Sequence, residues 1–208
     1  LQSPEGEVNL YCLNPKCPSL IKAKIEFWVS KDAMDIDKIG PAIIEQLYDK
    51  NLISSAVDLY RLTIDDLMKL DLVKEKSASN MYNSIQKSKN NPLKRLLTAL
   101  IIRNVGKETS EILANEYETI ERLKEATVEE LAAVNGIGEK IAKEIYAFFH
   151  DEDNLKMLED LKTLGVEPPP VEMPKSDTFK GKTFVLTGTL PSMTREEASE
   201  IIKAHGGK

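Results

Sequence analysis

Apolar positions recur at helical spacing through most of this chain. Ile43, Ile44, Leu47 and Tyr48 fall on one face of one segment, and Ile141, Ile145, Phe148 and Phe149 on one face of another. That three-to-four-residue rhythm belongs to amphipathic helices, and it predicts a mainly α domain over residues 19–165. Helix starts are marked locally. Thr63 with Asp66, and Thr127 with Glu130, have the spacing of capping boxes ahead of apolar residues. The segments they open, LTIDDLMKL at 62–70 and ATVEELAAV at 126–134, lie 64 residues apart. A shorter motif recurs more often: an apolar residue, Gly or Lys, three residues, then Ala, Ser or Ile. It occurs at Ile39-Gly40, Val73-Lys74, Val105-Gly106 and Ile137-Gly138, at intervals of 34, 32 and 32 residues. Each copy stands between two helical stretches, so the domain is expected to hold four tandem helix–hairpin–helix units.

The flanks read differently. Residues 1–18 are short, polar and carry both cysteines. Residues 166–178 include Pro168, Pro169, Pro170 and Pro174, the composition of a semi-rigid linker. Within residues 179–208, FKGKTFVLTGTL reads as a buried strand ending in a turn, and TREEASEIIKAHGG as a helix closed by glycine. One strand and one helix cannot bury a core, so this segment is expected to be the truncated opening of an α/β domain.

Composition narrows the class without naming a function. The 208 residues are 41% hydrophobic and 30% charged, ordinary for a globular protein. No apolar run reaches the roughly 20 residues of a membrane helix, and no basic and apolar leader opens the chain. Two cysteines are too few for a disulfide framework, which makes the cytoplasm the expected compartment. The net charge of −6 argues against a polyanionic partner until it is divided along the chain. Between Lys74 and Lys107 stand eight basic residues (Lys74, Lys76, Lys87, Lys89, Lys94, Arg95, Arg103, Lys107) against Glu75 alone. That segment carries +7 and the remainder −13. Because screening limits each charge to about 8 Å in physiological salt, the local excess decides what is attracted.

The hairpins suit that attraction. In NGIGEKIAKEI (135–145), Gly136 and Gly138 permit positive φ and close approach of a ligand to the backbone. The following helix presents unpaired N–H groups and its positive dipole end, a phosphate-binding arrangement, with Lys140 beside it. RNVGKETSEIL (103–113) offers the same arrangement through Asn104, Gly106, Arg103 and Lys107. Gly40 holds the corresponding place in the first hairpin, and Lys74 with Lys76 in the second. A glycine can also serve only a tight turn, but four hairpins in register favour phosphate. Backbone amides and lysines read phosphate and not base edges, so binding to duplex DNA is expected to be independent of sequence and steeply salt-dependent.

Residues 8–165 resemble the zinc-finger and helix–hairpin–helix region of bacterial NAD-dependent DNA ligases. The resemblance is carried by LYCLNPKCPSLIKAKIEFWVSKDAMDIDKIG, LIIRNVGKETSEILANEY and NGIGEKIA. Residues 179–208 are similar to the first strand and helix of a BRCT domain, which follows that region in the family. The resemblance implies an enzyme that seals nicks in duplex DNA using NAD and Mg2+, acting as a monomer in the bacterial cytoplasm at the nucleoid. It puts the adenylated lysine and the NAD site ahead of Leu1. No Lys-x-Asp-Gly occurs in this chain, so no catalytic residue is expected here and the chain alone is expected to be inactive. Two positions depart from the family. Lys38 and Lys74 stand where glycine is usual, and Lys74, if held at positive φ, would cost about 1 kcal/mol and alter its hairpin.

Cys12 and Cys17 enclose LNPK, a spacing that gives two thiolates to one tetrahedral metal. In the ligase family a second cysteine pair, ahead of this one, completes a four-cysteine zinc site. Residues 1–18 would then be the second half of that finger, with zinc absent unless other residues contribute. Two rival readings are a non-catalytic helix–hairpin–helix repair scaffold and a helix–hairpin–helix DNA glycosylase using Asp151 or Asp153. The HDED run reads more simply as the acidic start of a helix.

Overall fold

The computed structural model describes residues 14, 17–169, 178–179, 181–186, 198–199, 201–202 and 205–207. The chain divides into two compact units, Leu1–Pro169 and Pro170–Lys208.

Every regular element among the described residues of the first unit is a helix. Its elements are α1 (Pro18–Val29), α2 (Pro41–Asp49), a 3₁₀ turn (Val57–Arg61), α3 (Ile64–Met68), α4 (Glu75–Ser88), α5 (Leu93–Ala99), α6 (Lys107–Tyr117), α7 (Ile120–Glu125), α8 (Val128–Ala133), α9 (Glu139–Phe149) and α10 (Glu152–Thr163). Four pairs pack as hairpins: α1 with α2, α3 with α4, α5 with α6, and α8 with α9. The four repeated motifs form their turns. Four residues after each motif's second position stand Ile44, Ala78, Ser110 and Ala142, all with no accessible surface. This buried position of the second helix explains why the motif ends on a mostly small residue.

The hairpins form two tandems. In hairpins one and three the turn holds two left-handed residues three apart, Asp35 with Lys38 and Ile101 with Asn104. Hairpins two and four hold one each, Leu72 and Gly136. Both of the latter open with a complete capping box, Thr63 with Asp66 and Thr127 with Glu130. Lys69 and Thr63 hold the Asp66 carboxyl down at about 2. The 3₁₀ turn and α7 occupy equivalent places between the hairpins of their tandems.

The core is continuous across both tandems. Within the first, the buried Trp28 indole N–H donates to Tyr60 Oη at 3.2 Å. Tyr60 Oη lies 3.3 Å from Ser88 Oγ, which donates to the Ile85 carbonyl at 2.7 Å. Burial pushes the Tyr60 phenol up, against the pull of Ser88 and Trp28. The tandems are joined by Arg95, whose Nη1 donates to the carbonyls of Lys31 and Ala33 at 2.9 and 2.8 Å. Arg61 adds a link from the 3₁₀ turn to Asp160 of α10 at 3.0 Å.

In the second unit, the described residues gather Phe179, Phe184, Ile202 and His205 around Gly207. Ala198–Ser199 and Ile201–Ile202 are helical and Gly206 takes φ +79°, as the glycine-closed helix requires. The expected buried strand is corrected in part. Residues 181–186 form no ladder, and Val185 is 81% exposed. A strand is defined by hydrogen bonds to a neighbour, and the described residues supply none. Residues 187–190 lie outside those described.

Candidate nucleic-acid interface

Six of the ten described α-helices begin without a side-chain cap, among them α1 and α5, which open hairpins one and three. α3, α7, α8 and α10 are capped by the side chains of Thr63, Thr119, Thr127 and Asp151. The four helices that leave hairpin turns, α2, α4, α6 and α9, have no side-chain cap. Their cap positions are Gly40, Lys74, Gly106 and Gly138, with φ of −102°, −111°, −101° and −81°. A helix start ordinarily has several amide donors to satisfy, so four bare starts at one repeated position leave donors for a ligand. At Gly40, Gly106 and Gly138 an added Cβ would meet nothing within 4 Å. Neither φ nor packing demands glycine there; its effect is to leave the approach to the helix start open. Pro41 removes one donor from the first hairpin.

This arrangement corrects two sequence expectations. Positive φ falls two residues before each cap, at Lys38 (69°), Leu72 (63°), Asn104 (60°) and Gly136 (92°). Gly138 therefore does not use its left-handed freedom, whereas Gly136 does. Lys74 is unstrained, and the second hairpin keeps the shape of the others. The strain expected at Lys74 lies on Leu72.

The basic residues are placed unequally. Lys74, Lys76 and Lys140 are exposed and make no ion pair among the described residues. Lys107, at the start of α6, pairs with Asp32 in the first hairpin's loop. Arg103 lies 3.9 Å from Glu144 of α9. Asn104 is exposed at the tip of hairpin three. These contacts set the order of hairpins in space. Hairpin one neighbours three through Asp32 and Lys107, and three neighbours four through Arg103 and Glu144. Hairpin two neighbours one, because Asp71 N–H donates to Gln46 Oε1 at 2.7 Å. Lys38 and Asp32 were missing from the sequence-based site. The equal spacing of Lys38, Leu72, Asn104 and Gly136 was the signal for the first; the second depends on a contact across 75 residues.

Two other candidates resolve plainly. Asp151 caps α10 by accepting from Asn154 N–H at 3.0 Å, so it has a structural use. Cys17 occupies the position before α1 without capping it, and Cys12 lies outside the described residues. Among the described residues no group of three or more His, Cys, Asp or Glu side chains could hold a metal. No described helix is long and apolar enough to cross a membrane.

Two tandems of hairpins, each with bare helix starts, define a helix–hairpin–helix protein. Comparison with known families agrees. Residues 30–87 match the family described as SAM-like helix-hairpin-helix tandem, and residues 95–158 the helix-hairpin-helix motif. One match falls in each tandem, the first leaving out α1. Residues 174–208 match the BRCA1 C terminus (BRCT) domain. Over 98% of its length the chain is 45% identical to a protein named DNA ligase from Bacillus subtilis, and 46% identical to one from Anoxybacillus flavithermus. A DNA ligase from Shouchella clausii is 45% identical over the whole chain. Over its whole length the chain is similar to these bacterial DNA ligases, and it spans about a third of their length (31–32%).

Proposed function

We propose that this chain is the DNA-gripping part of an NAD-dependent ligase that seals nicks in duplex DNA. The observation that carries the reading is the set of four uncapped helix starts at the hairpin turns, three of them opened by glycine. Phosphate oxygens satisfy such donors without reference to sequence, which suits a nick that can lie anywhere. Lys74, Lys76, Arg103, Lys107 and Lys140 supply the cations. For Arg103 and Lys107 a phosphate would replace Glu144 and Asp32 as the partner.

In this reading the adenylated lysine, NAD and Mg2+ belong to other parts of the parent enzyme, which works as a monomer in the bacterial cytoplasm. Cys12 and Cys17 would supply two thiolates to a zinc completed by residues elsewhere, and metal analysis of the longer protein tests that directly.

The test of the reading is a salt titration of binding to a duplex. With about five phosphates engaged, log affinity should fall against log salt with a slope of roughly −4 to −5. A flat titration overturns it. Charge reversal at Lys107 and Lys140 should weaken binding more than reversal at Lys156 or Lys162 on α10; equal losses would remove the hairpins from the interface. Incubation with NAD should leave no AMP on this chain.

A further inference from the structure

Leu72 stands at the tip of hairpin two with its whole side chain in water, at 101% of its reference exposure and φ +63°. A leucine is doubly misplaced there: the left-handed region is unfavourable for a side chain with a Cβ, and apolar surface is left in solvent. The equivalent positions hold Lys38, Asn104 and Gly136. The tip is also braced. Asp71 N–H is held by Gln46 Oε1 at 2.7 Å, the Asp71 carboxylate lies 3.4 Å from Lys50 Nζ, and Val73 N–H donates to the Leu70 carbonyl at 3.3 Å. Two and four residues further on, Lys74 and Lys76 are exposed without an ion-pair partner among the described residues.

We infer that Leu72 is an apolar contact to duplex DNA, seated against the deoxyribose walls of the minor groove while Lys74 and Lys76 hold the flanking phosphates. This deepens the DNA-binding reading above and rests on it. Charge complementarity selects the occupant: Asp71 is already paired with Lys50, and of the exposed charges that follow Leu72 the cations Lys74 and Lys76 outnumber Glu75, so the tip disfavours a basic surface and attracts a phosphate backbone. Size argues the same way. One or two apolar side chains, Leu72 with Met68 (47% exposed), are far below the several hundred Å² of a protein-docking patch. The minor groove is only about 6 Å wide, admits single apolar side chains, and is lined by sugars whose carbon faces accept them. A braced tip delivers the side chain without a loss of loop freedom on binding.

The experiment compares the full chain with its Leu72→Asn and Leu72→Met variants by fluorescence anisotropy on one duplex at several salt concentrations. Leu72 supports nothing in the fold, and asparagine tolerates φ > 0, so thermal midpoints should match the wild type. Leu72→Asn should lose about tenfold in affinity, the scale of burying much of one leucine, whereas Leu72→Met should stay within about threefold. Neither should change the salt slope, because no counterion is released by an apolar contact. Lys74→Ala should lower that slope by about 0.9. A wild type that binds and a Leu72→Asn variant that binds equally well overturn the inference alone. A wild type that does not bind duplex overturns the DNA-binding reading, and the inference with it.

Discussion

Hairpins two and four hold equivalent places in their tandems and solve one turn in opposite ways. In hairpin four the position of positive φ is Gly136, and a Cβ there would lie 2.9 Å from Ile112 Cδ1 of α6. In hairpin two it is Leu72, fully exposed. The difference lies in the neighbouring helix. Ile112 follows the Gly106 cap by six residues, and Gln46 follows the Gly40 cap by six. Ile112 packs directly on the turn, so any Cβ at 136 would have to push its Cδ1 aside as well as take up a positive φ, and glycine avoids both. Gln46 instead reaches the Asp71 N–H, holds the turn by a hydrogen bond, and leaves the space over residue 72 open. A tandem thus keeps its backbone while the side chain bracing its turn decides what the tip can carry.

The largest expected effect breaks that contrast at hairpin four. Gly136→Leu should destabilise the first unit by roughly 2–4 kcal/mol, combining left-handed strain with overpacking against Ile112. Leu72→Gly should stay within about 0.5 kcal/mol of wild type, because relief of strain is offset by the flexibility of glycine. Urea denaturation of both variants checks the pair; equal losses would show that the two turns are supported alike.

Next comes the cap position. Gly138→Leu, at an ordinary φ in open space, should cost less than about 1 kcal/mol in stability. It should weaken duplex binding about tenfold by obstructing the donors of α9. Anisotropy and thermal melting together separate the two effects. Binding that survives intact would mean the bare helix start of hairpin four faces no phosphate.

A smaller effect belongs to the buried position of the second helices. Ser110 Oγ is fully buried without a hydrogen-bond partner among the described residues, where hairpins two and four hold Ala78 and Ala142. Ser110→Ala should therefore stabilise by about 1 kcal/mol, measured as a raised unfolding midpoint. A loss of stability would show that the hydroxyl is used.

The smallest is a pH effect on the capping box of hairpin two. The Asp66 carboxyl is held at about 2 in the fold, below its ordinary 3.8. A depressed carboxyl adds stability above pH 3.8 and loses it as pH falls toward 2. Asp66→Ala should thus cost on the order of 0.5 kcal/mol at pH 6 and almost nothing near pH 2. A difference that persists at pH 2 would show that Asp66 supports the cap by something other than its ionised carboxylate.

What could be read from the chain was what short spacings encode. The capping boxes at Thr63 and Thr127 need only three residues, and both form. The helical rhythm and the 34-, 32- and 32-residue intervals located all four turns. The site was less legible. Glycine served as the marker of positive φ, but Lys38, Leu72 and Asn104 take that conformation because the turn imposes it two residues before the cap. The strain expected at Lys74 was therefore displaced by two positions. The partners of the cations were hidden for another reason. Lys107 with Asp32 and Arg103 with Glu144 join different hairpins, and no local pattern carries such a pairing. In the second unit, a strand-forming composition is only half of a strand; the other half is the neighbour it pairs with.

The ion pairs of hairpin three have a consequence for counting charges at the interface. Lys107 and Arg103 already carry their own counter-anions, Asp32 and Glu144, within the protein. When a phosphate displaces either carboxylate, the DNA gives up a bound cation, but the abandoned carboxylate collects one from solution. Such a contact is nearly silent in a salt titration, so if both carboxylates are displaced the slope moves from roughly −4 to −5, expected for five unpaired cations, toward about −3. The apparent charge of the interface then falls short of its true number of cationic contacts. Neutralising Asp32 would make the hidden contact visible, steepening the salt response although no positive charge had been added.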